Sequence, residues 1–126
     1  MDYGIKEFAS KTGISPFTLR YYEKEKLLTP NRATNGWRYY TEKDITWILF
    51  VKRLKDTGMP IRQIREYARL RALGNSTLQQ RMEMLQEHHK FVLEQLANWQ
   101  DNLANLADKI AYYENEIKTC QALELS

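Results

Sequence analysis

Few residue types in this 126-residue chain could carry chemistry, and their spacing is selective. Cys120 is the single cysteine, which excludes an intramolecular disulfide framework and a multi-thiolate metal cage. His88 and His89 are adjacent, and neighbours in a helix point about 100° apart, so one helix cannot aim both at one ion. No nucleophile and base pair, carboxylate pair or phosphate-cradling glycine loop is visible, so no enzyme chemistry, metal or cofactor is expected. What recurs is arginine beside aromatic residues: Phe17-Thr18-Leu19-Arg20-Tyr21-Tyr22 and Trp37-Arg38-Tyr39-Tyr40, with Arg32 between them. Arginine presents a planar fork of donors to guanine edges or phosphate oxygens, and tyrosine hydroxyls reach the same backbone. That chemistry is polyanion recognition.

Charge is distributed to match. Residues 1–73 carry 15 Lys and Arg against 8 Asp and Glu, a surplus of +7; residues 74–126 carry 4 against 8, or −4, and together they make the net +3. A basic compact half suits a polyanion, whereas an acidic half is repelled by the same surface, so nucleic acid is the first candidate partner of residues 1–73. No apolar run approaches the roughly 20 residues needed to span a bilayer, and the start MDYGIKEFASKTG lacks the apolar stretch of a signal peptide. The expected location is cytoplasmic, with no membrane partner.

The elements that must hold these residues are mostly helical. Ile5, Phe8 and Ala9 repeat at helical spacing up to Gly13, a left-handed stop; Ser15 then reads as an N-cap and Pro16 as the first residue of a second helix, to about Glu23. In that helix Leu19 and Tyr22 face the turn side, while Phe17 and Tyr21 lie opposite, flanked by Thr18 and Arg20. Pro30 and Asn35-Gly36 predict a two-stranded hairpin wing, with Arg32 and Arg38 near its tip and no further strand. Thr41 and Asp44 resemble a capping box opening a helix to about Asp56, apolar almost all round and so expected at the centre of the core. Gly58 ends it and Pro60 starts another, with Ile61, Ile64 and Ala68 on one side and Arg62 among the arginines elsewhere. Gly74-Asn75 breaks that helix, and Ser76 with Gln79 predicts a new cap.

From there one pattern runs nearly to the end: Leu78, Met82, Leu85, His89, Val92, Leu96, Trp99, Leu103, Leu106, Ile110, Tyr113, Ile117 and Cys120. The spacings alternate 4 and 3, and no Pro or Gly interrupts them. Such a helix is about 65 Å long at about 1.5 Å per residue, more than a domain this small can cover with its own core. Its stripe must be buried against another long helix, so a homodimer is expected. His89 inside the stripe reads as a register-setting polar residue, and Cys120 as a small buried hydrophobe. The predicted organisation is a DNA-binding domain over residues 1–73 and a dimerisation helix over residues 76–122.

In this order, helix-turn-helix, wing, two helices and a long helix resemble the MerR family of bacterial transcription regulators. The residues that carry the resemblance are Thr12-Gly13-Ile14-Ser15, Thr18-Leu19-Arg20-Tyr21-Tyr22-Glu23, Asn35-Gly36-Trp37-Arg38-Tyr39-Tyr40 and Gly58-Met59-Pro60-Ile61. It covers the whole chain and is most specific over the first 70 residues. The fold it implies is a mainly α winged helix-turn-helix followed by an antiparallel dimerising coiled coil. The function it implies is a homodimer on a near-palindromic promoter operator, bending and untwisting the DNA so that RNA polymerase engages both promoter elements.

The resemblance assigns DNA contact to Ser15, Phe17, Thr18, Arg20 and Tyr21 of the recognition helix, and to Arg32, Trp37 and Arg38 of the wing. Arg38 would grip flanking phosphates; Trp37 contacts DNA or packs in the wing. Tyr22 packs inward with its hydroxyl toward a phosphate, and Arg62 opens a helix whose N–H groups can meet one. The stretch from Phe50 to Met59 also resembles the thiol- and aldehyde-responsive branch, but no cysteine occurs between Met1 and Thr119 to carry its sensing chemistry. The alternative, a coiled-coil adaptor whose winged half binds protein, fits the +7 surplus poorly.

Overall fold

A computed structural model describes residues 2–125. Helix α1 spans Ile5–Thr12 and stops at Gly13, left-handed with φ 70°, whose N–H returns to the Ala9 carbonyl. Ser15 caps α2, Pro16–Lys24: its Oγ accepts the Thr18 N–H at 3.2 Å, and Pro16 takes the first helical position. Within the turn the buried Thr12 hydroxyl donates to the Phe8 carbonyl at 2.9 Å and accepts from the Ile14 N–H at 3.3 Å. The turn's buried polar groups are thus satisfied locally, as a helix-turn-helix requires.

The wing pairs β1, Asn31–Arg32, with β2, Arg38–Tyr39, antiparallel, with Asn31 opposite Tyr39 and Arg32 opposite Arg38. Gly36 adopts φ 85° while Asn35 keeps a negative φ, and the Gly36 N–H donates to the Ala33 carbonyl at 2.8 Å. The turn is therefore an ordinary one followed by a left-handed glycine bulge, not a two-residue mirror-image turn. Extended structure does not end with the wing as expected: Tyr3 forms an antiparallel bridge with Tyr40, exchanging two backbone hydrogen bonds of 2.8 Å. A single paired residue has no alternating pattern, so the sequence carries no signal for it.

Helix α3, Glu42–Asp56, opens with the complete capping box: Asp44 N–H to Thr41 Oγ1 and Thr41 N–H to Asp44 Oδ2. Trp47, Ile48, Val51 and Leu54 are buried, but Leu49 is 36% exposed, so this apolar helix keeps one outer edge instead of being enclosed all round. Helix α4, Ile61–Ala72, is capped by Pro60 and buries Tyr67 and Leu70 besides Ile64. α1 packs on α2 and α3, and α3 on α4.

The junction after α4 departs from expectation. A short 3-10 turn, Asn75–Thr77, precedes the long helix, and Thr77 holds it instead of Ser76. The buried Thr77 hydroxyl lies 2.6 Å from the Leu70 carbonyl and 2.8 Å from that of Gly74, and Arg81 Nε donates to it at 3.1 Å. A buried hydroxyl must find partners inside, and this turn supplies them where a surface Ser76–Gln79 cap would not.

Helix α5 is one 48-residue helix, Leu78–Leu125. The chain divides into two units, Met1–Gln86 and Glu87–Ser126. In the first, Phe8 stacks on Tyr40 with ring centroids 4.3 Å apart, Trp47 stacks on Tyr67 at 5.9 Å, and Met84 and Leu85 pack against the core. In the second, the apolar stripe is open: Leu96, Trp99, Leu103, Leu106, Ile110, Tyr113 and Ile117 are each more than half exposed, and His89 and Cys120 are exposed as well.

Candidate nucleic-acid interface

Helix α2 sorts its side chains by period. Leu19 and Tyr22 are buried in the core, while Phe17 is 81% and Tyr21 40% exposed on the other side, with Thr18 and Arg20. A phenylalanine so exposed is costly to leave in water, by about 1.5–3 kcal/mol relative to burial. Ser15 Oγ also donates to Thr18 Oγ1 at 3.0 Å, which fixes both hydroxyls at the entry of the helix. Tyr22 is a core residue: it is 2% exposed, and burial, then Asp56 and Tyr21, push its phenol upward from the usual value.

The wing stands against α2. Arg20, Arg32, Trp37 and Arg38 line one groove of about 440 Å³, together with Glu23 and Tyr40. Arg32 Nη1 donates to the Gly36 carbonyl at 3.0 Å, which ties its head to the wing's own turn. Trp37 is half exposed and stacks on Tyr39, centroids 6.0 Å apart and nearly parallel. Its outer ring edge also lies over Gly4, where an added Cβ would sit 3.7 Å from Cζ2. Trp37 thus packs on the wing and keeps about half of its surface exposed.

Arg62 lies apart from that groove. It lines a second one of about 580 Å³ beside α4, with Arg65, Arg69 and Arg71. Arg65 faces Glu25 at 3.6 Å, and Arg69 pairs with Glu66 at 2.6 Å. The Arg71 guanidinium sits 4.2 Å above the Trp47 ring. Arg65 and Arg69 are thus held by carboxylates and Arg71 by an aromatic face. Glu23 is the functional side chain that sequence reasoning did not single out. It accepts from Arg38 at 2.8 Å and from the Tyr40 hydroxyl, linking helix to wing. Fifteen and seventeen residues separate it from these partners, beyond any local pattern.

Among the described residues no group of three His, Cys, Asp or Glu side chains lies close enough to hold a metal ion. None of the described helices is long and apolar enough to cross a membrane. A helix-turn-helix with an exposed aromatic and basic recognition face, a wing beside it and a long terminal helix defines a winged DNA-binding protein. Residues 3–70 match the MerR HTH family regulatory protein model, and residues 45–109 match the model described as MerR, DNA binding. The chain belongs to the MerR family and is a DNA-binding transcriptional regulator.

An uncharacterized HTH-type transcriptional regulator of Haemophilus influenzae is 37% identical over 116 residues, covering 90% of this chain and 85% of its own. Among solved structures, HiNmlR, a MerR family regulator lacking the sensor domain and bound to promoter DNA, superposes with a TM-score of 0.81. It is 34% identical over 91% of this chain and 92% of its own. A MerR family regulator from Listeria monocytogenes gives a TM-score of 0.87 at 31% identity, covering 94% of this chain and 91% of its own.

Proposed function

We propose that two copies of this chain bind a near-palindromic promoter operator and distort it, so that RNA polymerase at the promoter engages both elements. The observation that carries this reading is the groove that gathers Arg20, Arg32, Trp37 and Arg38 beside the exposed Phe17 and Tyr21. Helix α2 enters a major groove, Ser15 and Thr18 at its start meeting backbone or base edges and Arg20 reading guanine O6 and N7. Arg38 and Arg32 meet phosphates flanking the site, and Arg62 meets one further along the duplex.

The second copy supplies what the α5 stripe lacks. Leu78, Met82, His89, Val92, Leu96, Trp99, Leu103, Leu106, Ile110, Tyr113 and Ile117 face a partner helix, while Leu85 packs on the core of its own chain, and residues 76–122 serve as the dimerisation element. Antiparallel pairing separates the two recognition helices, so that they reach successive major grooves about 34 Å apart. The protein binds and deforms, without catalysing a reaction, and acts in the cytoplasm, where promoter and polymerase are.

Selection from a random-sequence duplex library tests the reading. The expected result is an enriched inverted repeat whose binding weakens steeply with salt. Recovery of no palindrome overturns it.

A further inference from the structure

Glu23 is the one acidic side chain inside a surface otherwise built for a polyanion. Its carboxylate is divided between two donors: Oε2 accepts from Arg38 Nη2 at 2.8 Å, and Oε1 accepts the Tyr40 hydroxyl proton. The Glu23 side chain is 11% exposed, whereas that of Arg38 is 48% exposed. The anion is thus an interior anchor, and the guanidinium it holds stands at the surface. Tyr40 is fixed in turn. It is buried, stacked on Phe8, and locked through its backbone to Tyr3.

We propose that Glu23 is a positioning residue for DNA binding: it fixes the aim of Arg38 so that a phosphate of the docked operator meets a preorganised fork. This rests on the reading of Arg38 as a duplex contact. A negative charge next to a duplex opposes binding, so its presence is explained only by what it holds. An arginine pinned before binding loses less rotamer freedom at the moment of contact, and its remaining donors stay available to phosphate oxygens. Burial and the bond to Glu23 both push the Tyr40 phenol upward, so the proton stays on Tyr40 and the carboxylate stays an acceptor for Arg38.

Reach and charge separate this role from simple electrostatics. Glu23→Asp keeps the charge and withdraws the carboxylate by one methylene; Glu23→Gln keeps the length and loses the charge, its amide still able to accept from Arg38 and donate to Tyr40. Affinities are measured for the library-selected duplex and for a scrambled duplex of the same composition, with the thermal midpoint of each variant alongside. Expected for Glu23→Asp is about fivefold weaker binding to the selected duplex and no loss on the scrambled one, where loosely held charge suffices. Glu23→Gln should remain within about twofold on the selected duplex. Arg38→Ala should cost about tenfold in the parent and clearly less in the Glu23→Asp background.

If Arg38→Ala changes nothing in the parent, the assignment of Arg38 to the duplex fails. If it weakens binding by the same factor in both backgrounds, Glu23 does not act through Arg38 and this inference falls. Proportional loss on both duplexes with a lowered midpoint likewise overturns it, as a merely structural role. Should Glu23→Asp not fold, Tyr40→Phe, which frees one carboxylate oxygen, enters the same cycle with the same expectations.

Discussion

Trp47 donates its indole N–H to the Leu27 carbonyl at 2.7 Å, tying the central helix to the segment that leaves the recognition helix. Leu27 follows Lys26, a non-glycine residue held at φ 63°. That conformation costs roughly 1–2 kcal/mol, and the burial of Leu27 and Leu28 on the same core helps offset it. Trp47→Phe leaves the buried carbonyl without its donor and shrinks the aromatic face on which Arg71 rests. We expect a loss of about 2 kcal/mol in urea unfolding. A change below about 0.5 kcal/mol would show that the indole bond does not hold this corner.

Arg20 and Arg38 should separate cleanly in binding assays. Arg20→Ala should cost about 1–3 kcal/mol on the selected duplex and relax base preference at one position of each half-site. Arg38→Ala should leave the preferred bases unchanged while lowering the salt slope by about one, as loss of a phosphate contact requires. Unchanged preference for Arg20→Ala, or an altered base preference for Arg38→Ala, exchanges the two assignments.

Alkaline pH should loosen the N-terminal unit. Tyr3, Tyr22 and Tyr40 all hold their phenol protons more tightly than free tyrosine. The bond to Glu42 is the main cause for Tyr3, and burial is the main cause for the other two. A folded-state value raised above the unfolded one stabilises fully below about pH 10, and that contribution is lost as pH rises further. Urea midpoints should be level through neutral pH and fall above pH 10 as these tyrosines titrate. Tyr40→Phe should lower stability at neutral pH by about 1 kcal/mol and make the alkaline fall shallower. An equally steep fall in that variant would remove Tyr40 from the cause.

The sequence disclosed what is local. Gly13, Ser15 with Pro16, and Thr41 with Asp44 each act within a few residues, and the structure realises all three. The exposed face of α2 is legible for the same reason, since helical period alone separates Phe17 and Tyr21 from Leu19 and Tyr22. What stayed hidden depends on tertiary proximity. The Tyr3–Tyr40 bridge and the Glu23 junction join residues 15 to 37 positions apart, where no periodicity connects them. At Gly74–Leu78 the local cap motif was outcompeted, because burial of Thr77 made its hydroxyl the group that had to be satisfied.

Cys120 gives direct access to the orientation of the proposed pair of α5 helices. It is exposed near the end of α5, on the same stripe as Ile117 and Tyr113. A parallel pair sets the two Cys120 residues opposite each other, where Cα atoms about 5.5 Å apart are bridged readily by a disulfide. An antiparallel pair sends them to opposite ends of the coil. Mild oxidation of the purified protein should therefore give no covalent dimer through Cys120. A Met82→Cys variant should crosslink its new thiol to the partner's Cys120 far more readily, because antiparallel pairing brings the start of one helix toward the end of the other. Both reactions are followed on non-reducing gels at protein concentrations low enough to suppress collisions between dimers. Rapid and complete Cys120-to-Cys120 bridging under those conditions would make the pair parallel, and would remove the spacing on which binding to successive major grooves depends.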